Sequence, residues 1–232
     1  PISFTSRDGT LIHGYLTLPH GKDAKNLPLV VNPHGGPHGP RDRWGFNAQN
    51  QMIASEGAAV LQVNFRGSGG YGKAFEHAGH QKWGSDIQFD IIDATQYVIE
   101  QGIADKDRIC IVGGSFGGYS ALQSSILAPD LFKCAIGFAG VYDLDVMFNE
   151  GDVQGRRAGQ RYLAQVLGKD PKTLKEMSPS QNIDKLKAKL LLVHGGEDER
   201  APIEQLEALE DGLEKHNYPY EKLVMDDEGH GF

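Results

Sequence analysis

Apolar and polar positions follow two different periods along the chain, and the two periods alternate. Short aliphatic runs predict buried strands at residues 27–32, 58–65, 108–112, 133–138 and 220–225, with a further strand starting at 190. Apolar residues spaced three and four apart predict helices at residues 46–55, 73–81, 86–101, 161–167 and 202–215. Strands that alternate with helices favour an α/β fold whose mostly parallel sheet carries helices on both faces.

Two segments depart from this alternation. Residues 2–19 alternate apolar and polar side chains around Asp8 and Gly9, a pattern that predicts a β-hairpin. Residues 141–189 contain helical patches but no clear strand, so we interpret them as an insertion between core strands. A chain of 232 residues can build a single large core, and we expect one domain over residues 1–232.

Residues 107–122, DRICIVGGSFGGYSAL, combine a strand, a glycine turn and the start of a helix. The turn has the G-x-S-x-G pattern, with Ser115 between Gly113 and Gly117. A sharp strand-to-helix turn leaves little room for Cβ atoms and exposes the serine as a nucleophile. The backbone N–H of Phe116, at the helix N-terminus, would then face a developing oxyanion. Glycine and serine are also ordinary loop residues, so the pattern alone does not distinguish a nucleophile turn from an ordinary loop.

Two later segments strengthen the nucleophile interpretation. Asp198 lies in a loop after the strand that starts at Leu190, and His230 lies in a glycine-flanked loop after the strand that ends at Met225. The order Ser, Asp, His is that of the α/β-hydrolase fold, which places each member after a strand. We therefore predict Ser115, Asp198 and His230 as a catalytic triad.

The remaining parts of the predicted site come from loops at the same edge of the sheet. The loop His34-Gly35-Gly36-Pro37 follows a buried strand, and we expect the Gly36 N–H to be the second oxyanion donor; a plain turn is the alternative. Tyr142 and Ala201 are candidates for the substrate-binding pocket, although ordinary packing would explain them equally well.

Five segments together resemble the catalytic domain of the prolyl oligopeptidase family of serine peptidases, in the branch of acylaminoacyl and dipeptidyl peptidases. They are HGGPHG (34–39), NFRGSGGYG (64–72), WGSDIQFD (83–90), the serine turn, and HGGEDERAP (194–202). The resemblance implies cleavage of short peptides by the same triad, with a hydrophobic pocket for the residue before the scissile bond. Its Asp-x-Arg motif selects Asp198 over Glu197 or Glu199. Family members normally carry an N-terminal β-propeller and a closing helix after the histidine, so we expect this chain to be a fragment of a longer protein.

Two other classes of function compete with a peptidase. Gly67, Gly69 and Gly72 form a G-x-G-x-x-G pattern typical of phosphate binding, but Ala74 replaces the hydroxyl of a P-loop and no acidic residue ends the next strand. We expect Arg66 instead to brace this loop through a carboxylate. A carboxylesterase or thioesterase would use the same triad. The HGGP and RGSxGYG segments favour the peptidase family.

Composition excludes several partners. The net charge is −8 with no basic cluster, which argues against nucleic acid, and no apolar run approaches the roughly 18 residues of a membrane span. His77 and His80 have no obvious third ligand, so we expect neither a metal nor a cofactor. Cys110 and Cys134 lie in strand-like runs, where cysteine is usually a small buried hydrophobe; we expect no disulfide and a cytoplasmic location. Exposed sheet edges in such domains often pair, which leaves a homo-oligomer open.

Overall fold

The computed structural model describes every residue from Pro1 to Phe232. One eight-stranded sheet has the order β1-β2-β4-β3-β5-β6-β7-β8. The strands are β1 (Ile2–Thr5), β2 (Leu11–Thr17), β3 (Leu27–Val31), β4 (Ala59–Asn64), β5 (Ala104–Gly114), β6 (Cys134–Phe138), β7 (Lys189–Gly195) and β8 (Tyr220–Met225). The hairpin pair β1 and β2 is antiparallel, as is β2 with β4, and all other neighbours are parallel. The prediction of a mostly parallel α/β sheet is confirmed.

Eight helices connect and cover the strands. They are α1 (Ala48–Ser55), α2 (Lys73–His77), α3 (Asp86–Glu100), α4 (Phe116–Leu127), α5 (Leu144–Asn149), α6 (Arg157–Leu167), α7 (Pro171–Glu176) and α8 (Ile203–Lys215). The insertion at 141–189 holds α5, α6, α7 and two short 3₁₀ helices, and contains no strand before β7 begins at Lys189. None of the helices is both long enough and apolar enough to cross a lipid bilayer.

The core lies where α3, α4 and α8 pack against the central strands. Along β5, Ile109 and Ile111 are fully buried, while the alternate residues Cys110 and Val112 are only half-buried. Alternate residues of a strand face opposite sides of the sheet, so one face of β5 is covered by helices and the other is more open. At the far edge, Leu223 of β8 is 52% exposed.

A buried ion-pair network holds the glycine loop after β4. The Arg66 guanidinium donates to both carboxylate oxygens of Asp90, at 2.9 Å, and to Asp8 at 2.6 and 3.0 Å. Asp90 is fully buried and Arg66 is nearly so. In the same loop, a Cβ on Gly69 would overlap the carbonyl of Gly39. The loop is thus braced by carboxylates, as expected for Arg66, and its glycine permits close packing against the HGGPHG segment.

The expectation of unpaired cysteines is wrong, because Cys110 and Cys134 form a disulfide. They stand directly opposite each other on the parallel strands β5 and β6, with Cα atoms 4.7 Å apart. This separation lies within the range that a disulfide bridges. Neither the register nor the pairing can be read from the two apolar runs alone.

Candidate active site

Ser115 sits at the sharp turn between β5 and α4. It adopts φ 54° and ψ −120°, a left-handed conformation that costs energy for a non-glycine residue. Its N–H donates to the Phe138 carbonyl on β6 at 2.8 Å, which anchors the turn. A Cβ on Gly113 would overlap the backbone of Gly117, and a Cβ on Gly117 would overlap the Pro33 carbonyl oxygen. The flanking glycines are therefore required by backbone-to-backbone contact.

The structure brings Ser115, His230 and Asp198 into one hydrogen-bonded row. His230 Nδ1 lies 2.7 Å from Asp198 Oδ2, and His230 Nε2 lies 3.0 Å from Ser115 Oγ. A carboxylate can only accept, so the imidazole proton sits on Nδ1 and Nε2 accepts from the serine hydroxyl. This tautomer is the one a general base needs to take a proton from serine.

Asp198 is fixed on both of its oxygens. Oδ1 accepts the backbone N–H groups of Arg200 at 2.9 Å and Ala201 at 2.8 Å, which leaves Oδ2 for His230. Behind it, the fully buried His194 ring donates from Nε2 to the Ala201 carbonyl at 2.7 Å. Burial lowers the pKa of His194, so this second ring is neutral and serves to hold the aspartate loop.

The loop that carries His230 is held by the aspartate loop. The N–H of Gly196 donates to the Met225 carbonyl at 2.8 Å, and the N–H of Glu197 donates to the Glu228 carbonyl at 3.0 Å. The two loops touch backbone to backbone at Gly195, where a Cβ would overlap the carbonyl oxygens of Glu228 and Gly229. The position of the histidine therefore depends on a glycine more than thirty residues earlier in the chain.

Phe116 and Gly36, the two predicted oxyanion donors, lie beside Ser115. Phe116 begins α4, and Gly36 lies in the HGGP loop with φ +122°, a conformation that favours glycine. Neither N–H donates to any group of the chain. Both residues line the pocket into which Ser115 opens. Free, fixed donors beside a nucleophile are the arrangement that stabilises an oxyanion.

The pocket beside Ser115 has a volume of about 640 Å³ and a mixed lining, in which aromatic and aliphatic side chains lie beside the charged residues Asp152, Arg156 and Arg200. Its walls include Trp83, Phe116, Val141, Met147, Val153 and Tyr162. The interpretation of Tyr142 and Ala201 as pocket residues is wrong, because both are completely buried outside it. The Tyr142 ring instead packs over Gly137 and Gly140. Each predicted residue lies next to one that does line the pocket, Val141 and Arg200.

A second cavity, of about 560 Å³, opens on the other side of Ser115 and has no apolar residue in its lining. Between the two cavities Arg200 pairs with Asp152, with two nitrogens within 3.0 Å of its carboxylate. The pair ties the loop between α5 and α6 to the Asp198 loop. Sequence reasoning missed Asp152 because it lies in a segment with no strand pattern; only the motif that names Arg200 pointed toward it.

Residues 44–232 match the model of the prolyl oligopeptidase family. The chain belongs to this family. Dipeptidyl aminopeptidase BIII of Pseudoxanthomonas mexicana is 36% identical over 245 residues, covering 100% of this chain and 35% of that protein. The chain thus spans about a third of the length of this relative.

Solved structures of the prolyl oligopeptidase family agree with the fold. A puromycin hydrolase is 30% identical with a TM-score of 0.90, covering 100% of this chain and 35% of that one. An acylaminoacyl peptidase in complex with Z-Gly-Gly-Phe-chloromethyl ketone is 28% identical with a TM-score of 0.87, covering 99% of this chain and 37% of that one. The α/β-hydrolase fold predicted from the order of Ser115, Asp198 and His230 is therefore confirmed.

The other histidines form no metal centre. His77 and His80 stack with ring centroids 4.8 Å apart, and His38 lies edge-on to His80 at the same distance. No group of three or more His, Cys, Asp or Glu side chains is arranged to hold a metal ion. Burial and the neighbouring His80 lower the pKa of His38 to about 4, so the ring that lines the pocket is neutral.

Proposed function

We propose that this chain is the catalytic domain of a serine peptidase that cleaves short peptides through an acyl-enzyme intermediate. The observation that carries the proposal is the hydrogen-bonded row of Ser115, His230 and Asp198. The row opens onto a pocket with aromatic and aliphatic side chains in its lining and is flanked by two N–H donors with no partner in the chain.

The proposed reaction starts when Ser115 Oγ attacks the scissile carbonyl and passes its proton to His230 Nε2. The Asp198 carboxylate stabilises the resulting imidazolium, and the Phe116 and Gly36 N–H groups bind the oxyanion. His230 then gives the proton to the departing amine, which leaves an acyl group on Ser115. Water, activated by the same histidine, releases the acid and restores the serine.

The pocket lining supports an apolar or aromatic residue before the scissile bond. Trp83, Phe116 and Tyr162 contribute to the lining, and the half-buried His38 beside them is uncharged at neutral pH. The related acylaminoacyl peptidase takes a peptide ketone ending in phenylalanine, which matches this chemistry. We therefore propose phenylalanyl peptides as test substrates. The side chains of the pocket leave the residue beyond the scissile bond unspecified.

The decisive experiment compares three substrates: Gly-Phe p-nitroanilide, its N-acetyl counterpart and p-nitrophenyl acetate. Anilide hydrolysis that falls by about 10⁴–10⁶ in kcat in Ser115→Ala is expected for the triad. A matched control is Ser124→Ala, which removes a buried serine hydroxyl bonded to Gln88 at 2.8 Å, away from the site. Preference for the free or the acetylated amine assigns the dipeptidyl or the acylaminoacyl subtype.

Other outcomes of this experiment change the conclusion. Hydrolysis of the ester alone would assign a carboxylesterase or thioesterase, since an ester needs no protonated amine leaving group. Activity that survives in Ser115→Ala would refute the mechanism. Because serine, histidine and aspartate supply the nucleophile, the base and its orienting group, we propose that the reaction needs no metal or cofactor. A chelator should then leave the rate unchanged.

Compartment and assembly are separate proposals. Composition favours the cytoplasm, whereas disulfides such as Cys110–Cys134 persist mainly in oxidising compartments. Peptide mapping of the protein from its native cells decides between them, with Cys110 and Cys134 recovered as free thiols expected for the cytoplasm and as a linked pair for an oxidising compartment. Light scattering at two concentrations tests the proposed homo-oligomer.

A further inference from the structure

The Gly36 N–H proposed for the oxyanion hole belongs to the same peptide plane as the Gly35 carbonyl. The peptide is trans, so its N–H and C=O point in opposite directions and rotate together. Holding the Gly35 oxygen in place therefore fixes the direction of the Gly36 N–H. The reverse also holds: if this plane turned over, a carbonyl oxygen would face the position of the oxyanion.

The glycines on either side do little to hold this plane. Neither has a side chain that restricts rotation, and Gly36 already occupies φ +122°. An added Cβ on Gly35 would make only an ordinary contact, 3.6 Å from the Ser115 Cβ. The plane consequently needs an external anchor if the donor is to be fixed before substrate arrives.

His34 supplies such an anchor. Its Nδ1 lies 2.6 Å from the Gly35 carbonyl oxygen, and because a carbonyl only accepts, Nδ1 carries the proton. Its Nε2 lies 2.8 Å from Ser68 Oγ, so in the neutral ring this nitrogen accepts from the Ser68 hydroxyl. Ser68 is fully buried in the glycine loop after β4. The carbonyl thus fixes the tautomer, and the Ser68 hydroxyl anchors the ring from its other side.

Packing and burial also fix the position and the neutral charge of the His34 ring. It stacks on Phe65 with centroids 4.3 Å apart and an interplanar angle of 20°. Phe65 in turn packs against Phe116, whose N–H is the other proposed donor. Burial lowers the pKa of His34 to about 4, so the ring is neutral at pH 7 and Nε2 is free to accept.

We propose that Ser68 and His34 are positioning residues that aim the Gly36 N–H into the oxyanion hole by holding the Gly35 carbonyl from behind. The inference rests on the proposed serine hydrolase function of Ser115. Replacing either residue should weaken stabilisation of the charged tetrahedral oxygen. Binding of the substrate in its ground state should not change, because neither side chain lines the pocket.

The test compares two inhibitors across a set of variants of the full chain. Acetyl-Gly-phenylalaninal forms a tetrahedral adduct with Ser115 whose oxygen needs the donors, whereas the product acetyl-Gly-Phe does not. His34→Gln places its side-chain amide nitrogen away from the Gly35 carbonyl, so the bond made by Nδ1 is lost. His34→Asn places its side-chain amide nitrogen near the position of Nδ1, so this bond can be kept. We expect the aldehyde Ki of His34→Gln to rise by about 10²–10³ with an unchanged product Ki, and kcat to fall with little change in KM.

The conservative variants complete the design. His34→Asn should recover most of the aldehyde affinity. Ser68→Ala should fall between wild type and His34→Gln, since the ring keeps its stacking and its bond to Gly35 but loses the hydrogen bond that anchors Nε2. Ser124→Ala, the buried-serine control, should match wild type. If His34→Gln fails to fold, Ser68→Ala decides: a rise in the ratio of aldehyde Ki to product Ki supports the proposal.

Several results would overturn it. Equal changes in aldehyde and product affinity would mean that His34 acts through substrate binding, and an unchanged ratio in Ser68→Ala would mean that the hydroxyl has no positioning role. Either result leaves the proposed function intact if wild type hydrolyses the anilide and Ser115→Ala does not. A wild-type chain that neither hydrolyses the probes nor binds the aldehyde would refute the proposed function and this inference together.

Discussion

A single methyl group added at Gly195 should reduce activity strongly while leaving the chain folded. It ends β7 and lies against the backbone of the loop that carries His230. In Gly195→Ala the new Cβ would lie 2.9 Å from the Glu228 carbonyl carbon and closer still to the carbonyl oxygens of Glu228 and Gly229. The backbone of Gly195 does not have a positive φ, so the substitution acts only through this overlap.

The size of the effect follows from the distances at the triad. To reach ordinary contact the histidine loop must retreat by about 1 Å, and a displacement of that size typically costs about 10² in rate. The hydrogen bonds of His230 to Asp198 and Ser115 are 2.7 and 3.0 Å long, so a shift of this size breaks at least one of them. We expect kcat/KM for the anilide to fall by about 10²-fold in Gly195→Ala. The free energy of unfolding should fall by only about 1–3 kcal/mol, as for other overpacked sites.

The control is Gly229→Ala, next to His230. A Cβ there meets nothing within 4 Å and the residue has no positive φ, so its kcat/KM should stay within about twofold of wild type. Urea unfolding of both variants separates loss of fold from loss of geometry. Wild-type kcat/KM in Gly195→Ala, or an equal loss in Gly229→Ala, would refute the idea that this contact places the histidine.

Three further predictions test burial and charge. Burial raises the pKa of Asp42 to about 7, above its unfolded value near 4, so the folded chain binds the proton more tightly and loses stability as pH rises from about 4 to 7. Asp42→Asn should reduce this loss, measured as the difference between the free energies of unfolding in urea at pH 5 and pH 8. An equal difference in both proteins would contradict the prediction. Arg66→Met leaves the buried Asp90 carboxylate unpaired and should cost about 3–5 kcal/mol in urea unfolding, against a much smaller loss for the exposed pair removed by Lys187→Ala; similar losses would count against the network. Tyr142→Phe removes a buried hydroxyl with no hydrogen-bond partner and should leave kcat and KM unchanged, whereas a raised KM would return Tyr142 to the pocket.

The sequence predicts well what depends on neighbouring residues. The turn at Ser115 is predictable because a strand, four glycines and an apolar helix face follow one another within sixteen residues. The loops of Asp198 and His230 were found because each follows an apolar strand, and parallel strands end at one edge of the sheet. Local pattern and chain order together are sufficient for these three positions.

Contacts between distant loops could not be predicted in the same way. Tyr142 and Ala201 were assigned to the pocket, but the pocket is lined by their neighbours Val141 and Arg200, since the side to which each side chain points is set by packing. Ser68 lies in a segment that first suggested phosphate binding. Its contact with His34 exists only because the glycine loop folds behind the HGGP loop.

The position of β8 at the edge of the sheet affects the order in which the molecule loses activity and unfolds. β8 has a single neighbouring strand, and its Leu223 and Met225 side chains are 52% and 39% exposed. Such an edge opens at lower free energy than the centre of the sheet, where β5, the strand that leads into Ser115, lies between β3 and β6. Opening of β8 releases the histidine while the rest of the sheet stays closed. We therefore expect catalysis to be the most sensitive reporter of denaturant, with activity lost at a concentration where circular dichroism still records a folded protein.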